Sequence, residues 1–209
     1  MSTDVLTLMQ WLSPGFPVGA FAYSHGLEQV IDTGQITCTK TLRPWLEDIL
    51  TDGGAQADLV LLARAYRGGL DSDTDAIARA FTASAERHIE TLDQGIAFAQ
   101  TVEAIWQLGL PHATYSVAVG QAAAARGIPL ALTAEAYAHA VTANLISVAV
   151  RLIPLGQTDG QKLLADLKPL IQSAAARACA EDAPLYSNCI SSDIAAMRHE
   201  TQYSKVFRT

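Results

Sequence analysis

Ser24 and His25 stand side by side in Ala22-Tyr23-Ser24-His25-Gly26, an A-x-S-x-G version of the turn that exposes a nucleophilic serine. That turn works only with a strand before it and a helix after it, because the strained backbone is what presents the hydroxyl. The residues before Ser24 carry Pro14 and Pro17 and read as a loop, so Ser24 reads better as a helix cap. An α-helical serine hydrolase using Ser24 and His25 remains the rival reading. His25 and Glu28 are three apart and could share one helix face as metal ligands. Two ligands do not close a site, and His88, His112, His139 and His199 are dispersed. His199-Glu200 lacks the second histidine of H-E-x-x-H. Cys38, Cys179 and Cys189 include no C-x-x-C pair, which removes the common cysteine zinc sites and suggests reduced thiols. Gly156 to Gly160 has no lysine of the G-x-x-x-x-G-K-[ST] kind, so nothing there would hold nucleotide phosphates.

The elements that must position these residues read as helices throughout. A first helix is expected over Thr3 to Leu12, ending at Ser13-Pro14-Gly15. A short helix follows Ser24 and stops at Gly34. Leu42, Trp45, Leu46, Ile49 and Leu50 form one apolar face of a helix opening near Thr41, with Pro44 in its first turn. Gly53-Gly54 weakens or bends that helix, and the apolar pattern resumes from Leu59 to Gly68-Gly69. Asp73 can cap the next. A long helix covers Ser84 to Leu108 with Ile89, Leu92, Ile96, Ala99 and Trp106 on its stripe. Pro111 opens an alanine-rich helix and Thr133 caps another that ends before Pro154. Asp159 precedes a helix that Pro169 should kink. A short helix spans Asp193 to Arg198. No alternating run is bounded by hairpin turns, and Leu130-Ala131-Leu132 is too short for a strand.

Composition agrees. The 209 residues are 50% hydrophobic and 17% charged, enough to bury a core, and include 36 alanines. Fourteen Lys+Arg against 21 Asp+Glu leave a net charge of −7, a poor match for a phosphate backbone. Met1-Ser2-Thr3-Asp4 lacks the basic start of a signal peptide. The charge-free stretches Ala104 to Ala125 and Ala136 to Val150 are respectively too polar and too short for a membrane span. The expected molecule is a single all-α domain over residues 1–209, of about eight to ten helices without a sheet. It binds neither nucleic acid nor membrane and belongs in the cytoplasm.

Two segments have a composition that helix packing alone does not explain. Ser13 to Gly26 is long for a helix–helix connection and carries Phe16, Val18, Phe21 and Tyr23. Such a loop is buried in its own domain or covered by a partner. The second is Arg198 to Thr209, where Arg198, Lys205 and Arg208 outnumber Glu200 and Tyr203, Val206 and Phe207 add apolar area. That is the composition of interface anchors. The tail is expected to be flexible in the free chain, and its removal to leave the core folded.

With these segments in view, the sequence resembles the UreF family of urease accessory proteins over essentially its whole length. The resemblance rests on Ser13-Pro14-Gly15-Phe16-Pro17-Val18-Gly19-Ala20-Phe21-Ala22-Tyr23-Ser24-His25-Gly26-Leu27-Glu28 and Glu90-Thr91-Leu92-Asp93-Gln94-Gly95. It continues through Ala143-Asn144-Leu145-Ile146-Ser147, Arg151-Leu152-Ile153-Pro154-Leu155-Gly156-Gln157, and Met197-Arg198-His199-Glu200-Thr201-Gln202-Tyr203-Ser204. Two positions depart from the family pattern: Ala22, often serine, and His88, often arginine.

The resemblance implies an all-α homodimer without enzymatic activity. It implies a scaffold that joins UreD (also called UreH) and the GTPase UreG on urease apoprotein and assists GTP-dependent nickel delivery. No tightly bound cofactor is expected, and nickel is handled only with partners; a nickel-storage protein is the second rival. The expected partner-binding residues are Phe16, Phe21, Tyr23, His25 and Glu28 in the first segment. In the tail they are Arg198, His199, Glu200, Gln202, Tyr203, Phe207 and Arg208.

Overall fold

The computed structural model describes residues 3–70 and 73–209; Met1, Ser2, Asp71 and Ser72 lie outside it. Ten α-helices follow one another among the described residues: α1 (Thr3–Trp11), α2 (Leu27–Asp32), α3 (Thr39–Thr51), α4 (Gly54–Gly68) and α5 (Thr74–Ala80). Then come α6 (Ala85–Trp106), α7 (Tyr115–Arg126), α8 (Leu130–Leu152), α9 (Gln157–Ala178) and α10 (Ile190–His199). A 3-10 turn over Ala20–Ala22 interrupts the loop after α1, and no described residue is in a strand. The all-α expectation holds.

Several helix starts differ from the sequence reading, each for a local reason. α3 opens two residues before Thr41, because the Thr41 hydroxyl accepts from Thr37 N at 3.0 Å and Cys38 N at 3.3 Å. Pro44 therefore lies in the second turn, where its missing N–H leaves the carbonyl four residues back without an intrahelical donor. α7 starts at Tyr115 rather than Pro111, since Asp75 Oδ1 takes the Thr114 N–H at 2.6 Å and holds the connection. Thr133 does not cap α8; its hydroxyl donates back to Pro129 O at 3.0 Å inside a helix already begun at Leu130. Asp159 lies in the first turn of α9, and that helix runs through Pro169.

The interior is built on small side chains. α4 lies against α7, and α8 against α9. Ala63, Ala118, Ala122, Ala123, Ala134 and Ala149 are wholly buried along these contacts. Gly120 shows why: a Cβ there would run into the Leu62 carbonyl oxygen, so α7 can approach α4 this closely only without one. Large side chains fill the end of this interior near α1. Trp11 meets Phe98 and Trp106 edge-on at 5.5 and 5.6 Å between ring centroids, a geometry the ring quadrupoles favour. No helix among the described residues is long and apolar enough to cross a membrane.

α6 corrects the sequence reading most clearly. Ile89 is 56% exposed, whereas Glu90, Thr91 and Gln94 are buried. The helix turns a polar stripe inward over its first half, and only Phe98, Ala99 and Val102 continue it as an apolar one. This inversion sets the site.

Candidate functional site

Three segments far apart in sequence meet over the start of α6: the loop ending in Ser24-His25-Gly26, the first turn of α2, and residues 199–209. The turn into α2 is made by two residues with left-handed backbone, His25 (φ 55°) and Gly26 (φ 78°). At Gly26 a Cβ would lie 2.6 Å from Ala196 N, so the backbone of α10 rests directly on the turn. Ser24 is fully buried; Gly26 rather than Ser24 occupies the N-cap position of α2, but the Ser24 Oγ still accepts from Glu28 N in the first turn at 3.2 Å. The hydroxyl also donates to Thr209 O, and Ser24 N reaches Thr209 O at 2.8 Å.

Glu28 organises the first half of the junction. It is 4% exposed, yet its carboxylate accepts from Val206 N (2.7 Å) and Phe207 N (2.8 Å) and lies 3.2 Å from His199 Nε2. His199 is wholly buried, and its Nδ1 faces Glu86 Oε2 at 2.6 Å. The ring thus sits between two carboxylates, with both nitrogens satisfied when both carry a proton. Lys205 Nζ bonds the other oxygen of Glu86 at 2.6 Å, and Glu200 Oε1 accepts from Ala85 N at 2.7 Å at the α6 N-terminus.

Glu90 organises the second half. Its two oxygens meet His25 Nε2 (2.7 Å), Arg87 Nη1 (2.6 Å), Gln94 Nε2 (3.0 Å) and the Thr209 hydroxyl (2.9 Å). Burial works against its ionised form, but the Arg87 and His25 charges prevail and hold its carboxyl at about 2. Burial likewise disfavours the Arg87 guanidinium, and Glu90 and Asp58 more than compensate, raising its pKa. Asp58 on α4 lies 3.5 Å from Arg87 Nη2; burial raises its carboxyl and Arg87 opposes the shift.

His25, Asp58, Arg87 and Thr91 form a polar wall between two hollows. One, of about 500 Å³, opens between α1, the 3-10 turn and α8. The other, of about 340 Å³, lies toward α5 and α10.

The expected site residues sort by this geometry. The structure brings Tyr23, His25, Glu28, His199, Phe207 and Arg208 together, with Arg208 Nη1 3.3 Å from the Tyr23 hydroxyl. Phe16, Tyr23, His199 and Phe207 are buried and shape the surface from beneath. Phe21, expected among the partner-binding residues, is 60% exposed: its carbonyl is held by Arg151 at 3.0 Å while its ring projects outward. Tyr203 is fully exposed, Arg198 and Glu200 are exposed, and Gln202 donates to Ser204 O at 3.0 Å.

Residues 199–209 are docked, because Glu28 takes two of their N–H groups and Phe207 is buried under the Arg151 guanidinium, 4.5 Å from its ring centroid. Asp58, Glu86, Arg87 and Glu90 were missed as site residues; Arg87 and Glu90 one turn apart with Glu86 beside them were the available signal. His88, where the family often has arginine, turns away to Arg79 O and the Thr82 hydroxyl, each 3.3 Å from its Nδ1.

The junction offers no hydrolytic arrangement. Ser24 is buried and fully bonded, and the His25 ring is directed at Glu90. Among the described residues no three His, Cys, Asp or Glu side chains are grouped to hold a metal ion.

The segments that build this junction are those that carried the family resemblance, and comparison with known proteins agrees. The UreF family model matches residues 36–168. A urease accessory protein UreF from Roseobacter denitrificans is 60% identical over all of this chain and 96% of its own length. Others from Cereibacter sphaeroides and Ruegeria pomeroyi are 49% and 46% identical over essentially full lengths. The chain belongs to the UreF family. Members are urease accessory proteins, not enzymes, which accords with a junction whose polar groups bond one another rather than a reacting centre. For a UreF chain, the buried charges hold a surface in place.

Proposed function

We propose that this chain is a scaffold of urease maturation, joining UreD (UreH) and the GTPase UreG on urease apoprotein to assist GTP-dependent nickel delivery. It acts as a cytoplasmic homodimer, and nickel is cargo handled with partners rather than a resident cofactor. The observation that carries this reading is the build of the junction: its buried half locks the loop to the tail, and its outer half presents Phe21, Tyr203 and Val206 to solvent. Exposed aromatic and apolar side chains on a fixed frame are the make-up of interface anchors. Arg198 and Glu200 flank them.

The test is co-purification of the chain with UreD, UreG and urease apoprotein, alongside light scattering of the chain alone. Tyr203→Ala with Val206→Ser should leave the thermal melt unchanged and lower UreD capture. Undiminished capture by that variant rejects the surface, and a monomer at micromolar concentration rejects the homodimer.

A further inference from the structure

We infer that the cavity between α1, the 3-10 turn and α8 is an anchor pocket for one basic side chain, an arginine or lysine on an apolar segment of a partner protein, with Asp58 as counter-charge. The inference uses the scaffold reading only in making the occupant a protein.

The floor holds two carboxylates and one guanidinium, and they are not equally engaged. Glu90 already accepts from four groups. Arg87 is committed to Glu90 at 2.6 Å, and its other nitrogen stands 3.5 Å from Asp58. That separation is longer than the ~2.7–2.9 Å of a charge-assisted hydrogen bond. The Tyr137 hydroxyl also bonds the Asp58 carboxylate. An ionised carboxylate has about four lone-pair sites, so Asp58 still retains acceptor capacity toward the cavity. Burial already penalises its charge, which a second cation would relieve. His25 is bound to Glu90, and His139 lies at the rim. Any anion would meet Asp58 with no spare cation beside it.

The walls suit an alkyl stem. Leu8, Val18, Leu132 and Ala136 line the shaft, and Met9 and Phe21 stand exposed at the mouth, 62% and 60% accessible. Long basic side chains bury their methylenes along such walls while the charged head finds its partner. Apolar residues flanking that side chain would cover Met9 and Phe21, as the rim of a hot spot does. A volume of about 500 Å³ is ample for one side chain and falls in the ligand-pocket range.

The experiment uses the full-length chain and three probes of one shape: benzamidine, benzamide and benzoate. Amide chemical shifts of Ala136, Tyr137 and Ala140 report occupancy. Benzamidine should bind with a dissociation constant at least tenfold below those of benzamide and benzoate. Asp58→Asn should bring benzamidine to the benzamide level, and Ala140→Trp, which fills the mouth without touching Asp58, should block it. Equal binding of benzoate, or benzamidine binding intact in Ala140→Trp, overturns the pocket. An acetylated Leu-Arg-Leu amide should displace benzamidine, and its citrulline counterpart should not. Benzamidine binding without displacement by the arginine peptide overturns the protein occupant in favour of a small amidine or amine. Because no urease component is present, failure here leaves the scaffold reading standing, and failed co-purification leaves the pocket standing.

Discussion

The alanine-rich interior between α4 and α7 and the centre of the charged junction over the start of α6, at Glu28, Glu90 and His199, are both buried, yet opposite means hold them. In the first, side chains are trimmed until backbones nearly touch, as at Gly120 against Leu62 O, and the stabilisation is dispersion and apolar burial. In the second, Glu28 and Glu90 are almost wholly buried, and each is tolerable only because several donors surround it. An interior of small residues loses stability in proportion to the volume disturbed. A junction of this kind fails when any member leaves its partner buried and unpaired.

Glu28→Ala should therefore produce the largest loss. It strips the acceptor from Val206 N and Phe207 N and leaves His199 with one carboxylate. Breaking one side of a buried charged network typically costs ~3–5 kcal/mol. Urea unfolding should show that loss, and amide exchange at Val206 and Phe207 should accelerate more than exchange in α7. If both regions lose protection equally, the tail is not held by Glu28 in particular.

Acid should weaken the same region less abruptly. The folded Glu90 carboxyl titrates near 2 against an ordinary 4.5, so its contribution is complete above about 4.5 and disappears as pH falls through about 2. Asp58, raised by burial, acts in the opposite sense and gains stability as pH falls. Glu90→Gln should flatten the fall in stability between those two values. An unchanged slope in that variant would assign the acid sensitivity elsewhere.

In the interior, Gly120→Ala should cost about 1–3 kcal/mol, the range for forcing added volume into a close-packed contact. A thermal melt reads it, and tail exchange rates should not change. A neutral substitution would mean that α7 can shift away from Leu62 without penalty.

What could be read from the sequence follows the same division. The interior obeys apolar periodicity, so the bodies of α4, α8 and α9 fall where their leucines and alanines put them, although α4 and α8 begin earlier than expected, at Gly54 and Leu130. The junction does not, because periodicity assumes that charges face water. On α6 that assumption sent Ile89 inward and Glu90 outward, the reverse of what the fold does. Glu90 is affordable inside only because Arg87 lies one turn before it and His25 and Thr209 arrive from the two ends of the chain. No local window contains that information. The contacts of the tail lie outside any local window for the same reason: Lys205 finds Glu86, and the backbone N–H groups of Val206 and Phe207 find Glu28, far away in the sequence. The motif from Ser13 to Glu28 was visible as unusual, but its division into buried Tyr23 and exposed Phe21 depends on where Arg151 holds the Phe21 carbonyl.

That division gives the smallest expected effect on stability and the sharpest separation of frame from surface. Phe21 and Tyr23 are two residues apart, but only Tyr23 is enclosed, at 3% accessibility, with its carbonyl bonded by Asn144 at 3.2 Å. The Phe21 ring loses little contact on truncation, and the interaction that fixes its backbone, Arg151 to the carbonyl oxygen, survives in Phe21→Ala. A substitution at so exposed a position should shift stability by no more than about 0.5 kcal/mol. Its cost should fall on association instead, because Phe21 stands at the mouth of the cavity and would lose its covered area only in a complex. The paired measurement is a thermal melt of Phe21→Ala beside capture of UreD and of the arginine peptide. An unchanged melt with weakened capture places Phe21 on the working surface. A melt that falls by several degrees would return the ring to the frame and make the outward orientation a property of the free chain without consequence for binding.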